Sequence, residues 1–121
     1  MRRVLPLLVL LSALNAHAQT VTRVSAVAKP KNHNGRCPAE MKFIGTIRVS
    51  RYPVPIEYVW ERSDGAKSAP QRVVIRSAGQ AVNDYWTLGT RGQRVNIWER
   101  LHILAPTNVR SPRAPAHVTC R

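Results

Sequence analysis

A chain of 121 residues is one domain in size, and 19 Lys and Arg against 6 Asp and Glu give it a formal charge of +13. That excess favours anionic partners through long-range attraction: nucleic acid, lipopolysaccharide, acidic polysaccharide, phospholipid headgroups or an acidic protein. An arginine-rich background composition accounts for the same excess without any ligand.

Arg2 and Arg3 precede an apolar run from Val4 to Leu14, and Ala16 and Ala18 place small residues just before Gln19. This is the pattern of a secretory signal peptide over residues 1–18, leaving residues 19–121 as one domain. The run is about a dozen residues, short of the roughly 20 that a membrane-spanning helix needs, and no second apolar run follows. No cysteine stands at the cleavage site to carry a lipid anchor. The expectation is an exported protein, periplasmic or extracellular, with no transmembrane segment. Losing Arg2 and Arg3 leaves 17 basic side chains against 6 acidic, a charge of +11.

Val21 to Ala28 alternates on both faces and stops at Pro30, as a short edge strand does. Lys31 to Arg36 reads as a loop, with His33 a solvated side chain. Cys37 and Cys120 form an even pair in an oxidising compartment, so a disulfide is expected. On the chain-entropy model, closing that loop stabilises the fold by about 4 to 5 kcal/mol.

Met41 to Val49 places Met41, Phe43, Gly45, Ile47 and Val49 on one face. Gly45 in mid-strand makes room for a large neighbour, Trp60 or Trp86. Pro53 and Pro55 mark a connecting loop. From Ile56, Tyr58 and Trp60 alternate with Glu57, Val59 and Glu61, and Ser63-Asp64-Gly65 turns the chain. Arg72 to Arg76 has Val73 and Ile75 inward, and Ala81 to Leu88 has Val82, Asp84, Trp86 and Leu88 on one parity. A carboxylate on that face belongs at the rim, where water reaches it, or against an arginine; the rim is favoured for Asp84.

Gly89 to Arg94 is a basic, glycine-containing turn without a phosphate-loop pattern. In the strand from Val95 to Leu104, Leu101 and Ile103 point inward and strict alternation puts Glu99 beside them. Trp98 is then out of phase, so a bulge near Glu99 and Arg100 is expected to return it to the core. Ala114, Ala116, Val118 and Cys120 share the inward face of the last strand, and Pro112 and Pro115 mark it as an edge or kinked strand.

Seven short strands spaced by turns, with almost no helical periodicity after residue 18, predict an all-β sandwich. Its expected core is Phe43, Ile47, Tyr58, Trp60, Ile75, Val82, Trp86, Leu88, Leu101, Ile103 and Val118.

Gly35-Arg36-Cys37-Pro38, Phe43-Ile44-Gly45-Thr46-Ile47, Tyr58-Val59-Trp60-Glu61-Arg62-Ser63-Asp64-Gly65-Ala66, Trp86-Thr87-Leu88-Gly89, Trp98 with Leu101 and Ile103, and the final Cys120 follow one another in a familiar order. In this the sequence resembles small exported bacterial immunoglobulin-like domains. It departs from them at Ile97 and Ala116, where such domains carry Gly and a larger side chain. The resemblance implies a seven-stranded immunoglobulin-like antiparallel sandwich and no catalytic residues.

No nucleophile elbow accompanies the Ser, His and Asp residues, and His102 with His117 lacks a third metal ligand. The expectation is a protein that is not an enzyme and holds neither metal nor cofactor. Lys42, Arg48, Arg72, Arg76 and Arg100 lie on outward faces; if their strands share a sheet, they form a stripe suited to phosphate, sulfate or carboxylate. With most aromatics committed to the core, specific nucleic acid binding is not expected. The expected function is a binding module engaging an anionic polysaccharide, lipopolysaccharide or an acidic protein through a basic face. The alternative is a structural or protein-protein interaction domain whose charge is background composition.

Overall fold

The computed structural model describes residues 20–121, so the expected signal peptide lies outside the described residues. All regular structure there is β: β1 (Val21–Lys29), β2 (Asn32–Gly35), β3 (Ala39–Val49), β4 (Val54–Arg62), β5 (Gln71–Ile75), β6 (Gly79–Leu88), β7 (Arg94–Ala105), β8 (Val109–Arg110) and β9 (Ala114–Cys120). They build two sheets, one in the order β1-β3-β6 and one in the order β2-β9-β7-β4-β5, with β8 added on β7.

Nine described strands replace the seven expected. The two extra ones lack an apolar pattern: β2, expected as a loop, runs parallel to the end of β9, and β8 is a two-residue fold-back on β7. Both are too short for alternation to announce them. Val54 and Pro55, expected in a loop, begin β4 and pair with Ile75 and Val74. β9 is not an edge, since β2 covers it from His117 to Cys120 and β7 pairs along its other side. The His117 amide donates to the Lys31 carbonyl, so the Pro115 nitrogen, two residues earlier, points to the same side beyond the reach of β2.

The core lies between the sheets. Met41, Phe43, Ile47, Ile56, Trp60, Ile75, Leu101, Ile103 and Val118 are fully buried, each on the inward parity of its strand. Of the expected core only Leu88 is merely half-buried at its margin. Gly45 makes the approach of the sheets possible: a Cβ there would stand 2.8 Å from Leu101 and 3.0 Å from the Trp60 ring. A methyl group has no room, so the indole takes that space.

Two side chains break the sequence reading together. β7 keeps its register with β9 from Arg94 to Glu99 and with β4 from Glu99 to Ile103, so there is no bulge at Glu99 and Arg100. Glu99 is fully buried and Trp98 sits half-buried on the outer face. The charged partners described below make that arrangement tolerable.

Candidate functional site

The five cations singled out in the sequence do not form one stripe. Lys42 and Arg48 are on β3 in the first sheet, whereas Arg72 and Arg100 are on β5 and β7 in the second, and Arg76 follows the end of β5. In a two-sheet stack the outward faces look in opposite directions, so the premise of a shared sheet fails. The two groups also differ electrostatically. Arg72 stands opposite Glu57, and Arg100 opposite Glu61. Lys42 and Arg48 are register partners of other cations.

That arrangement is set by the pairing of β1 with β3. A register shift between Val21 and Arg23 keeps Val21 buried while turning Arg23 outward, directly opposite Arg48; at the other end Lys29 stands opposite Lys42. Between these pairs lie Ser25 against Thr46 and Val27 against Ile44, and β6 adds Ala81, Asn83 and Tyr85 on the same face. The Lys42 ammonium is 6.0 Å from the Tyr85 ring centroid. At about 3.4 Å per residue the two like-charged pairs are roughly 20 Å apart. Among the described outward-facing residues of β1, β3 and β6, the single acid is Glu40, beyond Lys42. Like charges directly opposite each other destabilise an antiparallel pair. This face therefore concentrates positive charge, with the Arg48 side chain leaning over Gly79 and the Lys42 ammonium toward Tyr85, both on β6. Arg23 and Lys29 were missed in the sequence because opposition across strands is a long-range property.

On the outer face of the second sheet cations are gathered around a carboxylate. Glu61, 6 % exposed, accepts from Arg100 Nε at 2.7 Å and Arg110 Nε at 3.0 Å, with His102 Nδ1 at 3.1 Å from its other oxygen. Burial pushes its carboxyl up, but the hydrogen bonds from Arg110 and Arg100, with the charges of Arg110 and His102, prevail and hold it at about 2. Trp98 lies between guanidinium groups, with Arg113 at 4.2 Å and Arg100 at 5.3 Å from its ring. The unbroken register of β7 places the indole outside the core, and these cation–π contacts cover it there.

Inward of that sheet, Arg62 binds Asp84 at 3.2 Å, stands 3.4 Å from Glu99 and lies 5.0 Å over the Trp86 ring. Asp84 is thus held by an arginine rather than placed at the rim. Burial, then the neighbouring Asp84 carboxylate, push the Glu99 carboxyl up to about 9 against the opposing pull of Arg62. Glu99 is accordingly protonated at neutral pH. Asp84 also adds to the burial that raises the Tyr58 phenol.

Cys37 and Cys120 form the disulfide, with Cα atoms 5.4 Å apart. His33 is not simply solvated, since its ring binds the Arg36 carbonyl oxygen at 2.9 Å. His102 and His117 have separate partners, Glu61 with Asn108 for the first and Asn96 for the second. Among the described residues no three His, Cys, Asp or Glu side chains are grouped to hold a metal ion, and no helix is long and apolar enough to cross a membrane. The sequence matches no family model and no curated protein.

Proposed function

We propose that this chain is an exported immunoglobulin-like binding module whose first sheet engages an extended anionic partner, an acidic polysaccharide, lipopolysaccharide or acidic protein, and that it is not an enzyme. The strand order supports the immunoglobulin-like reading. β1, β3 and β6 correspond to strands A, B and E, and β4, β7 and β9 to C, F and G, with buried Trp60 on the C-equivalent strand. β5 then occupies the C′ position beside C, and the bridge ties the approach to B to the end of G instead of joining B to F.

One observation carries the functional reading: Arg23 opposite Arg48 and Lys29 opposite Lys42 on one face, with uncharged residues between them. A flexible or rod-like polyanion can neutralise both pairs at once, which a small anion cannot at a separation of roughly 20 Å. The test is retention on an immobilised polyanion across a salt series. Neutralising Arg23, Lys29, Lys42 and Arg48 is expected to shorten retention and flatten its salt slope far more than neutralising Arg51, Arg72, Arg76 and Arg94, an equal loss of charge. Equal effects from the two sets would overturn the reading in favour of bulk charge.

A protein-interaction role has one observation of its own. β1 is a nine-residue edge with Val27 48 % exposed, open to an added strand. Such docking rests on backbone hydrogen bonds and survives high salt, whereas polyanion binding does not.

A further inference from the structure

Three arginines from three separate segments line one concavity beside the disulfide. Arg36 precedes Cys37, Arg91 lies in the turn between β6 and β7, and Arg121 follows Cys120. The backbone that roots them is tied together. The Gly92 amide donates to the Cys120 carbonyl at 3.0 Å, the Cys120 amide to Gln93 at 2.8 Å, and the Arg121 amide to Gly35 at 2.8 Å. The Arg121 guanidinium also donates to the Asn34 carbonyl at 3.1 Å.

Gly89 brings Arg91 into this group. Its φ is +102°, and a Cβ there would stand 2.7 Å from Cys120 Sγ and 2.9 Å from Cys37 Sγ. Only a residue without a side chain lets the turn lie against the disulfide and carry Arg91 to the other two arginines.

Among the described residues no acidic side chain lines this concavity. The concavity is lined by Arg36, Cys37, Arg91 and Arg121, and the ion pairs found among the described residues join other groups: Arg62, Arg100, His102 and Arg110 with Glu61, Asp84 and Glu99. Three arginines line one concavity, and their mutual repulsion falls when an oxyanion enters. A guanidinium fork matches two oxygens of a tetrahedral anion, and three positive charges suit a dianion better than a single carboxylate. The cysteine here is bridged, so its sulfur offers no nucleophile and the site is one for binding.

We infer that the concavity formed by Arg36, Arg91 and Arg121 binds a phosphate or sulfate monoester group. The site uses none of the four cations of the first-sheet face, so either can fail without the other.

The oxidised protein is titrated with inorganic phosphate and with sulfate at ionic strength held constant by chloride, reading the arginine Nε–Hε resonances. Saturable shifts confined to Arg36, Arg91 and Arg121 are expected. Arg91→Gln, in an exposed turn, should weaken affinity by about tenfold or more, the worth of one charge-assisted hydrogen bond. Arg48→Gln should leave it unchanged. Shifts that rise linearly with concentration, or that spread equally to Arg23 and Arg48, overturn the assignment, as does an unaltered affinity in an Arg91→Gln protein with wild-type melting. Two further arms separate the sources of the group. Cosedimentation with phosphatidic acid vesicles that Arg91→Gln abolishes assigns a lipid headgroup, and displacement of phosphate by a sugar phosphate or sulfated oligosaccharide without vesicle binding assigns a saccharide.

Discussion

Arg23 and Arg48 are register partners on β1 and β3, and the shift after Val21 is what puts the first on the same outward face as the second. Opposed like charges cost roughly 0.2 to 1 kcal/mol in an antiparallel pair. Arg48→Thr, which keeps a strand-forming side chain, should therefore raise stability by about that amount at low salt, with the gain shrinking as salt screens the repulsion. Retention on a polyanion should fall in the same variant. Urea unfolding at two salt concentrations measures the first effect and column elution the second. A variant that loses both stability and retention would mark Arg48 as a structural residue rather than part of a binding face.

Glu61 predicts an acid limb in the stability profile. Its carboxyl is held at about 2 against an ordinary 4.5, so the folded state releases a proton that the unfolded state retains between those values. The stabilisation is fully present above pH 4.5 and is lost as pH falls toward 2. Its size is about 3 kcal/mol. Glu61→Gln should be less stable than the wild type at neutral pH and nearly as stable at the acid end, as followed by urea unfolding across pH.

Glu99 predicts the opposite slope. With its carboxyl at about 9 rather than 4.5, the folded state holds a proton that the unfolded state has lost across that window. Its contribution is fully present below pH 4.5 and drains away as pH rises toward 9. Glu99→Gln keeps the shape of the protonated acid, retains a donor for Asp84 and cannot ionise. Its melting temperature should exceed that of the wild type at about pH 8, with the difference narrowing as the solution is acidified toward the ordinary carboxylate range. A wild-type profile with no alkaline decline beyond that of Glu99→Gln would show that Glu99 is ionised in the fold.

Three glycines separate crowding from backbone strain. Gly45→Ala sets a methyl group 2.8 Å from Leu101 and 3.0 Å from Trp60, an overpacking expected to cost about 1 to 3 kcal/mol. Gly89→Ala adds a positive φ of +102° to contacts of 2.7 and 2.9 Å with the bridged sulfurs, which cannot swing aside as the Leu101 side chain can. Gly65→Ala, at φ +90° in open space, carries the backbone cost alone. Denaturation midpoints should fall in the order Gly65→Ala, Gly45→Ala, Gly89→Ala, the last being lowest.

Alternation along single strands was enough to place Phe43, Ile47, Trp60, Ile75 and Val118 in the core, and a mid-strand glycine was enough to foresee the close approach of a tryptophan, though not to choose Trp60 over Trp86. The same rule put Glu99 inside, and the cost of burying a carboxyl argued for a bulge that does not exist. What overruled that cost is protonation beside Asp84 and Arg62, residues 15 and 37 positions away in the chain. Trp98 could stay outside because Arg113, also remote in sequence from the strand centre, covers its ring.

By itself the order of residues determined an all-β chain, most of its inward faces, and the two cysteines available to bridge. Those follow from period-two patterning and turn chemistry, which act over a few residues. The tertiary structure alone decided that Lys42 and Arg48 share a face with Lys29 and Arg23 while Arg72 and Arg100 lie across the stack beside acids, and that Arg36, Arg91 and Arg121 meet. Strand register and the closure of an 83-residue separation by the disulfide bring those charges together, and neither leaves a local trace.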